Sequence, residues 1–408
     1  MVKEKAKKAL VLSGGGARGA YEVGVIKFIR ERMSNLIGEH PKFDILSGTS
    51  VGAIHSCYLA STSHIPEQQS VMLEQIWRSF EFDRIFNLPL KRLYSIYKSL
   101  FGKSKHSTSE RKAGGLLDTS TLEEIVIRKI PWRKISENIK RNNPAVLSVP
   151  ATDIYSGHTV IFIQHNYKEL PVWSHDPFIV PKETRILPIH ALASAAIPII
   201  FPLVKIDGRY FCDGSIRLNT PLSPALRLGA DRVLIIGLRH RPSSPNISRP
   251  ENPSALSNPF FLLGKIINAL MLDHTEYDLD RLRLFNAILE YGAQAFGEKF
   301  YENLNSVVIQ KRGIPYRKVK EIYISPSEDI GRIAARYVNK IKKKWSFFNL
   351  TGTFLNRLAG LLSPEREADL MSYLLFDKDY AGELIDLGYH DAEKNEKELV
   401  EFFKDDGE

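Results

Sequence analysis

Over the first sixty positions, short unbroken apolar runs alternate with glycine-rich turns and with apolar residues at helical spacing. Ala9-Leu10-Val11-Leu12 is such a run, the pattern of a strand buried on both faces. The turn Ser13 to Gly19 ends it, and Val23, Ile26 and Ile29 then recur at helical spacing within Ala20 to Arg32. Phe43 to Ser47 repeats the strand pattern, Gly48 to Gly52 the turn, and the small and apolar residues Ala53 to Ala60 predict a buried helix. Strand, turn and helix in succession are the grammar of an α/β fold with a mostly parallel central sheet.

Further strands are expected at Ala145 to Ala151, Thr159 to Gln164, Arg209 to Cys212 and Arg232 to Leu238, and Glu321 to Ile324 reads as an edge strand. Between Phe82 and Gly115 the pattern loosens into basic and aromatic residues, which suggests an insertion over about 83–115. Pro242 to Pro259 is rich in proline, serine and asparagine and marks a boundary. The expected division is a catalytic unit over 1–240 and a mainly helical C-terminal region over 241–408, packed on the first.

Composition narrows the class. The chain has 408 residues, 43% hydrophobic and 25% charged, enough apolar surface for a sizeable core. Two cysteines, Cys57 and Cys212, cannot build a disulfide framework or a four-cysteine zinc site. Net charge is +9, and residues 391–408 alone hold eight acids and three lysines, so the remaining residues carry +14. That excess suits nucleic acid, an anionic membrane surface or solubility. The apolar run after the first lysines is too short for a secretory core, and no stretch approaches a membrane span. The cytoplasm, with peripheral membrane contact, is the expected location, and export by a signal-independent route stays open.

Three glycine-centred motifs carry candidate chemistry: Gly14-Gly15-Gly16-Ala17-Arg18-Gly19, Gly48-Thr49-Ser50-Val51-Gly52 and Asp213-Gly214-Ser215. A serine with glycines two positions away on either side, between strand and helix, fits a nucleophile elbow. The turn is so tight that side chains at both flanks would collide, and the hydroxyl stands over a helix N-terminus, which favours developing negative charge. A turn of small residues around an ordinary serine is the plainer reading. The Gly14–Gly19 loop fits either a dinucleotide cradle or an oxyanion hole of unobstructed backbone amides, with Arg18 adding positive charge. A cradle wants an acid about 20 residues on; Glu39 precedes the second strand and Asp44 lies inside it. The nearby elbow favours the oxyanion hole.

An activated serine needs a base. His55 follows Ser50 on the same helix and points away from it, while His240, His274 and His390 sit in no recognisable strand-end motif. Asp213, beside a glycine that permits close backbone approach, is the better candidate, although Asp-Gly is also a common turn pair.

Taken in order, GGGARG, GTSVG and DGS resemble the patatin-like phospholipase family of the bacterial kind. Ala193 to Pro198, Phe201-Pro202 and Asp213 to Pro221 support the likeness, which is firm over residues 9 to about 238. The resemblance implies a three-layer α/β fold with a mostly parallel central sheet and a Ser–Asp dyad without a catalytic histidine. Ser50 would be the nucleophile, Asp213 the base, and the amides of Gly14 to Gly19 the oxyanion hole. It implies a lipid acyl hydrolase acting on phospholipids or lysophospholipids through an acyl-enzyme, with no metal and no cofactor. Ser215 stands where the family usually has glycine or alanine, and its hydroxyl is expected to perturb Asp213.

Residues 88 to 105 alternate apolar and basic character, as does the run from Arg332 to Phe348. Both suit an anionic bilayer surface or a helix packed with its lysines at the rim. No zinc module, recognition helix or RNA-binding aromatic signature is present, so nucleic acid is not an expected partner.

Overall fold

The computed structural model describes residues 5–85, 112–115, 117–173, 177–241, 265–266, 269, 274–297, 299–345 and 369–404. The basic segment 88–105, the boundary loop 242–259, Phe347 and Phe348 lie outside the described residues.

The apolar runs form a ten-stranded sheet. Its strands are β1 (Lys8–Leu12), β2 (Ile45–Gly48), β3 (Lys112–Ala113), β4 (Val146–Asp153), β5 (Thr159–His165), β6 (Ile179–Glu183), β7 (Leu203–Ile206), β8 (Arg209–Asp213), β9 (Arg232–Ile236) and β10 (Lys320–Ile324). They run in the order β10-β9-β1-β2-β4-β8-β7-β3, with β5 on β4 and β6 on β5. The five strands from β10 to β4 are mutually parallel; β8, β7 and β3 continue antiparallel, and β5 joins β4 antiparallel with β6 parallel to β5.

Successive residues of each strand face opposite layers. Leu10, Leu12, Leu46, Leu147, Val149 and Ile236 pack under the helices Ala20–Phe28, Val51–Thr62 and Lys378–Lys394. Ala9, Val11, Ile45, Val146 and Ile235 face the other way, against the helices Leu222–Arg227 and His274–Phe296. The result is the three-layer α/β sandwich expected, with helices continuing into the C-terminal region. Two glycines let the helix Lys378–Lys394 lie against the helix Ala20–Phe28. A Cβ on Gly24 would collide with the carbonyl of Ile385, and one on Gly388 with the carbonyl of Tyr21.

Strand length positions the site. β2 stops at Gly48 and covers β4 only from Val146 to Ser148. β4 runs on to Asp153, and its uncovered end takes up β8 antiparallel, with Asp213 opposite Ala151. The last residue of β8 is thereby delivered to the end of β2, where Ser50 begins the next helix. The expected helix Ala20 to Arg32 is regular only to Phe28 and continues through a wider turn over Ile29–Met33.

Candidate functional site

The elbow is as tight as its glycines suggest. Ser50 has φ 56° and ψ −122°, a strained backbone for a residue with a side chain. A Cβ on Gly48 would strike the carbonyl oxygen of Gly52, and one on Gly52 would lie 2.5 Å from the carbonyl oxygen of Leu12. Three ties hold the turn. The Thr49 amide donates to the Leu12 carbonyl at 3.2 Å, the Thr49 hydroxyl to the Leu218 carbonyl at 2.8 Å, and the Ser50 amide to the Ser194 hydroxyl at 2.9 Å.

Ser50 and Asp213, 163 positions apart, meet: the Ser50 hydroxyl donates to Asp213 Oδ2 at 2.6 Å. Both residues are buried. Asp213 is held by its amide on the Ala196 carbonyl, by Thr152 donating to its carbonyl, and by the Ser215 amide donating to Oδ1 at 2.8 Å. Gly214 is required between them, since a Cβ there would lie 2.6 Å from the carbonyl oxygen of Pro150. Burial pushes the Asp213 carboxyl up to about 6, against the downward pull of the Ser50 hydroxyl and of both the amide and the hydroxyl of Ser215. The Ser215 amide makes the well-formed bond, and the hydroxyl, which has no hydrogen bond of full geometry among the described residues, adds the weakest of these pulls, as expected of a serine at this position.

The glycine loop closes over this pair. A Cβ on Gly14 would come within 3.0 Å of Ser50 Cβ and 2.7 Å of Asn219 Oδ1. The amides of the loop are not equivalent. Gly14 donates to the Asn219 carbonyl at 3.0 Å and Arg18 to the Gly15 carbonyl at 3.1 Å. Among the described residues no backbone acceptor takes the amides of Gly15, Gly16 and Ala17. Gly16 and Ser50 line one cavity, whose walls are apolar: Ile54, Leu73, Trp77, Leu122, Val126, Ile197 and Phe201 among them.

Arg18 is not at the cavity. Its guanidinium is buried, donates from Nε to the Ser372 hydroxyl at 2.7 Å and lies 4.2 Å from the centre of the Tyr373 ring. The expected positive charge beside a phosphate is therefore spent inside the fold. The acids weighed for a dinucleotide are also misplaced. Asp44 accepts from the Lys8 amide at 2.8 Å, at the opposite end of β1 from the loop, and Glu39 is exposed.

Among the described residues no histidine hydrogen-bonds the Ser50 hydroxyl, which goes to Asp213. His55 forms a closed chain in which Nδ1 bonds Glu22 at 2.7 Å and Nε2 accepts from the Trp77 indole at 3.0 Å. Indole N–H only donates, so the imidazole is neutral with its proton on Nδ1. Burial agrees, pushing His55 down to about 3 and Glu22 upward. His240 bonds the Pro326 carbonyl, His390 is exposed beside Glu393, and the side chain of His274 is outside those described. Sequence reasoning missed Ser194, although it stands in the Ala193 to Pro198 stretch, and missed Glu22, four residues beyond Arg18.

This constellation sits on a fold whose family can be stated. The patatin-like phospholipase profile matches residues 10–226, just over half of the chain, and the chain belongs to the patatin-like phospholipase family. It is 27% identical over 212 residues to a cGAMP-activated phospholipase of Pseudomonas aeruginosa, covering 52% of this chain and 53% of the relative. It is 26% identical over 232 residues to the probable lipid hydrolase 463L of Invertebrate iridescent virus 6, covering 55% and 66%. The chain therefore spans half to two thirds of the length of these curated relatives. Among solved structures, VipD from Legionella pneumophila aligns over 94% of this chain and 67% of its own, at 15% identity and a TM-score of 0.27, a likeness too slight to carry an argument. Among the described residues, no helix is long and apolar enough to cross a membrane.

Proposed function

We propose that this protein is a lipid acyl hydrolase that cleaves fatty-acyl esters of phospholipids or lysophospholipids through Ser50 and Asp213. The observation that carries the reading is the 2.6 Å bond from the Ser50 hydroxyl to a buried carboxylate, at one end of an apolar cavity. Ionised Asp213 takes the Ser50 proton as Oγ attacks the ester carbonyl. The carbonyl oxygen becomes an oxyanion, received by the amides of Gly15, Gly16 and Ala17. Collapse breaks the ester C–O bond, and the departing alcohol takes the proton from Asp213. Water then gives a proton to Asp213 and attacks the acyl-Ser50 carbonyl, releasing the fatty acid and returning the hydroxyl. The acyl chain occupies the apolar cavity, and the net charge of +9 favours docking on an anionic membrane surface.

Fatty-acid release from anionic phospholipid vesicles and from lysophospholipid micelles tests the reading. Release by the intact chain and none by Ser50→Ala is expected; equal release by both overturns it.

A further inference from the structure

The family match ends at residue 226, yet the glycine loop and the cavity both meet a segment about 150 residues further on, at the end of the helix Asp369–Leu374. Arg18, inside the glycine loop, is gripped by Ser372 and Tyr373, all three buried. Gly16 has φ 56°, and a Cβ there would collide with the carbonyl oxygen of Tyr373, so the two backbones are in close contact. The loop is anchored at one end by Gly14 on the Asn219 carbonyl and at the other by this grip. The three amides without a backbone acceptor lie between those anchors.

Three residues beyond Tyr373, Phe376 lines the cavity that holds Ser50. Its ring stacks on Trp77 with centroids 6.0 Å apart and meets Phe80 edge-on at 5.7 Å, both of them wall residues. The segment is firmly placed, because the Lys378 amide bonds the Phe80 carbonyl at 3.0 Å and the helix it opens packs on the helix following the glycine loop.

We propose that Ser372–Phe376, the end of the helix Asp369–Leu374 and the two residues after it, is a working part of the active site: Ser372 and Tyr373 position the glycine loop through Arg18, and Phe376 sets which acyl chains the cavity accepts. This rests on the reading of Ser50 as the nucleophile. Fixed amides matter because an oxyanion hole stabilises only charge that develops within reach of donors already in place. A wall residue at the cavity discriminates chains by packing, where one methylene is worth about tenfold or more.

The test uses the full chain and vesicles of mixed-chain phospholipid, with fatty acids profiled on release. Phe376→Leu should shift the product ratio about tenfold toward longer chains and Phe376→Trp a similar amount toward shorter ones. Tyr373→Leu should lower kcat about tenfold with KM nearly unchanged, and Tyr373→Phe, which keeps the ring under Arg18, should restore it. An unchanged profile in both Phe376 variants overturns the proposal. So does a Tyr373→Leu chain that melts like the parent and keeps its kcat. A fluorophosphonate probe separates the two levels: a parent chain labelled on Ser50 with an unmoved profile sinks this inference alone, while one that does not label on Ser50 sinks the reading beneath it.

Discussion

Two buried carboxylates lie in the same core, and only one is poised for chemistry. Glu22 meets, through Oε2, an imidazole whose other nitrogen is already taken by Trp77. Asp213 meets a hydroxyl on a strained turn that lines an open apolar cavity. Burial raises both acids, so desolvation does not distinguish them. The partner does. A proton taken from Ser50 would leave a nucleophilic oxygen facing the cavity, whereas His55, which lines the same cavity, has both ring nitrogens engaged by Glu22 and Trp77.

The largest expected effect falls on turnover. Asp213→Asn keeps the shape and loses the base, and ester hydrolysis should drop by about 10²–10⁴-fold; Ser50→Ala should lose at least as much. An Asp213→Asn chain with parent kcat would erase the distinction between the two carboxylates.

Next is His55→Ala, whose cost should appear as stability. Removing the neutral imidazole takes that partner from the Glu22 carboxyl and from the Trp77 indole N–H, a loss of about 1–3 kcal/mol for each by urea denaturation. The pH at which Ser50 becomes reactive should stay put, since Asp213 controls it; a moved profile would bring His55 into the mechanism.

Asp213, the proposed base, should also cost stability. Its folded-state value of about 6 lies above the ordinary 3.8, so the native state holds the proton more tightly than the unfolded chain. Its contribution is full below about pH 4 and is lost as pH rises through about 6. At neutral pH the ionised group costs roughly 3 kcal/mol. Asp213→Asn should therefore melt higher than the parent at pH 8, with the gap closing at pH 4.

The smallest effect belongs to Ser215→Ala. The amide of Ser215 holds Asp213 and survives the change, so stability should move by no more than about 0.5 kcal/mol; the hydroxyl's small downward pull on Asp213 is lost, so the pH profile of turnover should move slightly to higher pH.

These differences track what a sequence displays. Local patterns were legible: the apolar runs of β1, β2 and β9 appear within a residue or two of their ends, and Gly48 and Gly52 advertise a turn that admits no side chain. The edge strand Lys320–Ile324 was legible too, as the short apolar piece Glu321 to Ile324. Contacts across long separations were not. Nothing near Arg18 signals that Ser372 and Tyr373 will take its guanidinium, because an arginine beside glycines reads equally well as an anion ligand. Nor does the Ala53 to Ala60 stretch show that His55 will be closed off by Glu22 and Trp77, which arrive on two other helices. The split edge of β4, which delivers Asp213 to Ser50, follows from strand lengths that periodicity resolves only to a few residues.

The most direct measurement is the pH dependence of covalent labelling by a fluorophosphonate, with the modified residue located by mass spectrometry. The account predicts an adduct on Ser50 whose rate of formation climbs through about pH 6 and collapses in Asp213→Asn. An adduct on another residue, or an Asp213→Asn chain labelled as fast as the parent, would contradict it.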